Sequence, residues 1–134
     1  MKLVVLDTNV LVSALLVPVG APALILRQFR DGDWNMAVSG TILEEYGRVL
    51  RRPRFGLNID EIRSVLSEIE SRSLLVIPSQ RFNAVPEDPS DNEFLDVAVE
   101  AGADTVVSGD NHLLKLRWFH RIPIYSPLQF LNEF

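Results

Sequence analysis

Lys2-Leu3-Val4-Val5-Leu6-Asp7-Thr8-Asn9 is the stretch that decides the fold. Four consecutive apolar residues, two of them β-branched, read as a strand buried on both faces, and the acid and two polar residues that follow read as a turn. A strand with no polar face belongs in a parallel sheet covered by helices on both sides. The rest of the chain keeps that rhythm. Leu11 to Leu16 predicts a short helix, Ala23 to Phe29 another, and Trp34 to Val38 a second strand.

Ser39-Gly40-Thr41 offers a helix start ahead of Ile42, Leu43, Tyr46, Val49 and Leu50, and Asp60 offers another ahead of Ile62, Val65, Leu66 and Ile69. Leu74 to Ile77 has the buried-run pattern of a third strand, and Ser79 to Ser90, rich in proline and polar residues, reads as a loop. Asp91 to Ala101 predicts a helix closed by Gly102, and Thr105 to Val107 a fourth strand ended by Ser108-Gly109-Asp110. Ile122 to Tyr125 reads as a fifth strand, demoted to an edge by Pro123, ahead of a last short helix to Phe134. The expectation is a three-layer α/β/α fold around a central parallel sheet of four to five strands, in one domain over residues 1–134.

Composition narrows the chemistry. The chain has 47% hydrophobic residues, enough for a sizeable core, but no run approaching the roughly 20 apolar residues of a membrane helix. No signal-peptide pattern follows Leu6, so a cytoplasmic protein without a membrane partner is expected. With no cysteine and only His112 and His120, any metal site must rely on oxygen ligands. A net charge of −5 argues against coating nucleic acid by bulk electrostatics. It does not argue against a nuclease, whose metal-binding carboxylates are acidic by construction.

Four carboxylates stand out by position. Asp7 and Asp110 each follow an apolar strand, at the sheet edge where open parallel sheets bind ligands. An ideal helix advances roughly 100° per residue. On that projection Glu45 flanks the apolar stripe of its helix, while Glu44 points outward and is placed to pair with Arg48. The same projection puts Asp91 in line with Phe94, Leu95 and Ala98, whereas Asp96 faces away with Asn92 and Glu100. Ser90 and Glu93 fit a capping box, which leaves Asp91 spare. Clustered carboxylates suit Mg²⁺ or Mn²⁺, and without metal their repulsion should raise some of their pKa values. From spacing alone, helix caps and surface acids remain an equal alternative.

Taken together, Val4-Val5-Leu6-Asp7-Thr8-Asn9, Leu43-Glu44-Glu45-Tyr46, Asp88-Pro89-Ser90-Asp91-Asn92 and Val107-Ser108-Gly109-Asp110 closely resemble the PIN-domain ribonuclease family. The likeness is strongest to its prokaryotic VapC-like branch, the toxins of toxin-antitoxin systems, and covers essentially the whole chain. It implies an endoribonuclease dependent on Mg²⁺ or Mn²⁺, with Asp7, Glu45, Asp91 and Asp110 at the acidic positions and Asn9 and Ser108 as supporting polar residues. An RNA substrate, a cognate antitoxin protein and a homodimer or higher homo-oligomer are the implied partners. One departure is His112, where relatives often carry another aspartate, which bears on the choice of metal.

Two further classes compete. A degenerate PIN-like module would bind RNA or protein without catalysis, and a phosphatase or flap-type DNA nuclease would use the same ligands. Arg48, Arg51, Arg52 and Arg54 form a basic cluster, and Lys115, Arg117, His120 and Arg121 another; a solvated face is the simpler reading of both. Trp34 is expected in the core, and Trp118 at a surface where it can stack or pack. Part of the leucine-rich stretch from Leu11 to Leu26 is expected to stay uncovered for a partner.

Overall fold

β1 (Leu3–Leu6) lies inside a six-stranded sheet, fully buried from Val4 to Leu6, as its unbroken apolar run demands. The computed structural model describes residues 2–134. Along the chain, β1 is followed by α1 (Thr8–Leu16), α2 (Ala21–Arg30), β2 (Asn35–Val38), α3 (Gly40–Leu50), α4 (Ile59–Arg72) and β3 (Leu74–Leu75). After a long loop come α5 (Asn92–Ala101), β4 (Thr105–Val107), α6 (Asn111–Leu114), β5 (Trp118–Phe119), β6 (Ile122–Tyr125) and α7 (Pro127–Glu133). The sheet order is β3-β2-β1-β4-β6-β5, parallel throughout except for the antiparallel β5–β6 pair. Helices cover both sides of this mixed sheet, giving the expected α/β architecture with six strands where four to five were expected.

The local signals explain most boundaries. Ser39 caps α3 by accepting from the Ile42 amide at 3.1 Å, and Gly102 ends α5 with φ of 62°, a left-handed conformation that favours glycine. Ser126 and Gln129 form a reciprocal capping box that starts α7. α4 is capped two residues earlier than expected, by Asn58 rather than Asp60. α5 packs on β1, β2 and β4, burying Phe94 and Leu95 completely; each such side chain contributes roughly 1.5–3 kcal/mol. Trp34 is in the core, as expected, and Trp118 is 65% exposed.

Two strands differ from the sequence reading. Leu74 to Ile77 is not a buried strand: only Leu74 and Leu75 pair, at the outer edge beyond β2, and Leu74, Leu75 and Ile77 are exposed. An apolar run is buried only if something covers it, and after Val76 makes one more bond to Val38, Pro78 turns the chain away. Conversely, β6 is not an edge. β5 closes its outer side, and Pro123 is tolerated opposite the start of β4, where the Thr105 hydroxyl donates to the Pro123 carbonyl at 2.8 Å.

Candidate active site

The sheet reverses its winding between β1 and β4: β2 and β3 lie beyond one, β6 and β5 beyond the other. Loops leaving the carboxyl ends of two such strands diverge and open a crevice. Leu6 pairs with Val107, so Asp7 and Ser108 emerge side by side, and the Asp7 amide donates to the Val107 carbonyl at 2.9 Å. The fully buried Ser108 hydroxyl donates to Asp7 Oδ2 at 2.6 Å and accepts from the Asp110 amide at 2.9 Å. One serine thereby ties both strand-end acids together.

α3 brings Glu45 to the same crevice. Tyr46, completely buried, donates its hydroxyl to the Leu6 carbonyl, the last acceptor of β1 before Asp7. Beside it, the buried Thr8 hydroxyl donates to Glu45 Oε2, while Arg48 stands 3.8 Å from Oε1. These two tethers were not read from the sequence. Tyr46 looked like an ordinary member of the apolar stripe, and Thr8 like part of a turn. The only signal available was that both carry a hydroxyl next to a carboxylate already singled out.

Asp91 ends a short 3-10 turn, Pro89–Asp91, ahead of α5, and is 5% exposed. Its Oδ2 is buried without any hydrogen-bond partner. Leaving such an atom unpaired is costly, and a bound cation would satisfy it. Asp91, Asp110 and His112 offer one ligand atom each, all within 4.8 Å of one another. Asp7 and Glu45 lie outside that tight trio but line a cavity of about 210 Å³ with Asp91 and Asp110, together with Asn9, Arg48 and Arg52. A larger cavity of about 470 Å³ adjoins it, sharing Glu45, Arg48 and Ser90.

The electrostatics agree with a cation site. Burial pushes the Asp7 carboxyl up to about 6 despite the opposing Ser108 hydrogen bond, with Asp110 and Glu45 adding repulsion. Burial, then the charges of Asp7 and Asp110, raise Asp91 further, to about 8. Carboxyls held this far above their ordinary range are crowded acids that keep their protons until a cation takes the protons' place. The donors present are hard oxygens with one imidazole, and they fit a divalent metal.

Several local expectations need correction. Asp96 and Asn92 do not face solvent: the loop ahead of α5 folds over them, so that Asp96 accepts from the Phe82 amide at 2.8 Å and Asn92 from the Val85 amide at 2.9 Å. Ser90 and Glu93 form no capping box. Ser90 donates to Asp88 at 2.7 Å, and Glu93 accepts from Ser39 at 2.7 Å and pairs with Arg81 at 3.0 Å. Arg48 pairs with Glu45 and not with Glu44. Asp110 is a cap as well as a site residue, since its Oδ1 accepts from the His112 amide at 2.7 Å. Asn9 is exposed on the cavity wall, and among the described residues its side chain holds none of the carboxylates. In the second basic cluster Lys115 is engaged by Glu87.

Comparison with known proteins places this geometry in a family. Residues 3–112 match the PIN domain. An uncharacterized protein of the archaeon Methanocaldococcus jannaschii is 32% identical over 142 aligned positions, spanning 98% of this chain and 90% of that relative.

Proposed function

The chain belongs to the PIN-domain family, whose members are typically nucleases, and from that premise we propose that it is a metal-dependent endoribonuclease acting as the toxin of a toxin-antitoxin pair. The observation that carries the enzymatic reading is the orphaned, buried Asp91 Oδ2 among crowded carboxylates at the point where the sheet reverses. Asp7, Asp91 and Asp110, with Glu45, would hold Mg²⁺ or Mn²⁺. When bound, such an ion polarises a phosphate oxygen and makes water a stronger nucleophile near neutral pH.

The chain's own groups supply the remainder. Ser108 keeps Asp7 oriented, and Thr8 aims Glu45 into the cavity. Glu45 orients the attacking water, whose oxygen bonds to phosphorus as the bond from phosphorus to the 3′ oxygen breaks; the water gives up its proton to solvent, and the departing 3′ oxygen takes one from solvent. The products carry a 5′-phosphate and a 3′-hydroxyl. Arg48 and Arg52, on the cavity wall, meet the neighbouring phosphates, which offsets the net negative charge of the chain where RNA enters.

One nuclease domain over residues 1–134 completes this reading. Exposed Leu16, Val17, Val19 and Leu24 around the α1–α2 corner support the assignment of an antitoxin or a second copy of the chain as a partner. The test is incubation with defined RNA and DNA oligonucleotides in Mn²⁺, Mg²⁺ or chelator, beside the Asp7→Asn protein. Metal-dependent RNA cleavage absent from the variant is the expected result. Equal degradation by both proteins overturns the assignment, and preferential DNA cleavage replaces the substrate class.

A further inference from the structure

We propose that His112 is a nitrogen ligand of the cation site and makes it select Mn²⁺, or another first-row transition ion, over Mg²⁺. The inference rests on the reading above that this cleft holds a divalent cation. His112 Nδ1 lies 3.6 Å from Asp110 Oδ1, and among the described residues the imidazole belongs to the trio of ligand atoms that gathers within 4.8 Å. Its position is built in. The Asp110 cap fixes the His112 amide 2.7 Å from the same carboxylate, so the side chain leaves α6 directly beside the site.

The third member of the trio is independently marked as a ligand, because Asp91 is 5% exposed and its buried Oδ2 has no hydrogen-bond partner among the described residues. A cation drawn to Asp91 finds ligand atoms of Asp110 and His112 within 4.8 Å of one of its carboxylate oxygens. Mg²⁺ demands oxygen ligands in a near-ideal octahedron and sheds water reluctantly, whereas imidazole suits first-row transition ions. Replacing one oxygen donor by nitrogen therefore shifts preference within the same cleft without adding charge. The plain alternative is that His112 forms only a half-exposed ion pair with Asp110 when protonated.

Calorimetric titration of metal-free wild type, His112→Gln and Asp91→Asn with MnCl₂ and MgCl₂ separates the two, together with pulsed EPR of the Mn²⁺-loaded proteins. Circular dichroism of each variant verifies the fold. In wild type, ¹⁴N coupling to Mn²⁺ is expected. His112→Gln should lose that coupling and weaken Mn²⁺ by about 10–100-fold, the scale of a lost supporting interaction or more, while Mg²⁺ binding changes little. Unaltered Mn²⁺ affinity in His112→Gln, with no nitrogen coupling in wild type but binding that still needs Asp91, overturns the role of His112 and leaves the cation site standing. Absence of Mn²⁺ binding to wild type overturns both.

Discussion

The β1–α1 and β4–α6 junctions follow the same local rule and end in different chemistry. In each, a buried apolar strand stops and an aspartate stands at the helix N-cap position. Asp110 behaves as a cap, accepting from the His112 amide, and remains partly exposed. Asp7 makes no side-chain cap; it is 3% exposed, and Ser108 of the other junction is its partner. A carboxylate at a strand end thus either caps its own helix while still facing the cleft, as Asp110 does, or turns to the neighbouring strand, as Asp7 does.

The largest effect that tests this contrast is on cleavage. Asp7→Asn and Asp91→Asn are each expected to reduce RNA hydrolysis by more than about a thousandfold, matching the several kcal/mol a metal Lewis acid supplies. A single-turnover assay with saturating Mn²⁺ measures it, and near-normal rates in either variant would remove that acid from the site.

Stability against pH comes next. Both carboxyls titrate in the folded protein above their unfolded value of 3.8, Asp7 at about 6 and Asp91 at about 8. The folded state then retains protons that the unfolded chain has released, so these groups destabilise the metal-free fold increasingly from about pH 4 to about pH 8. Metal-free protein should melt at a higher temperature at pH 5 than at pH 8.5, and Asp91→Asn should flatten that difference. A Tm that climbs steadily over the same interval in wild type would contradict the crowding of these acids.

A smaller loss is expected from Ser108→Ala, which removes the link between the junctions while sparing every carboxylate. By analogy with groups that orient metal ligands, metal affinity or activity should fall about 10–100-fold. If it does not, the two junctions act independently. The smallest effect tests which of the two acids is a helix cap. Asp110→Ala should destabilise the metal-free protein by about 1 kcal/mol, the usual cost of losing a cap. Asp7→Asn at pH 8.5 should instead raise Tm, because it removes a buried charge without breaking a cap. The same direction of change in both variants, read by thermal denaturation, would erase the distinction.

Much of the site was legible in the chain. Asp7 and Asp110 follow from where apolar runs stop, and Glu45 and Asp91 from which side of an apolar stripe they occupy. The illegible parts have one cause. Asp96 and Asn92 lie on the polar side of α5, and a loop rich in proline gives no sign that it will fold back and bury them. Leu74 to Ile77 reads as buried because its pattern contains no information about whether a further element covers the sheet edge. His112 stands where relatives of the family often carry aspartate, but its approach to Asp110 depends on the geometry of a cap.

By itself the sequence determined the alternation of strands and helices, the parallel character of the sheet and the positions of four acids, because periodicity, turn residues and strand ends act over a few neighbouring residues. Only the tertiary structure decided which carboxylates are satisfied and which are left waiting. That depends on contacts such as Ser108 to Asp7, 101 residues apart, and on the burial that strips Asp91 Oδ2 of every partner. Desolvation and hydrogen-bond satisfaction are properties of an enclosed space, and the chain encloses that space only when β1 and β4 lie side by side.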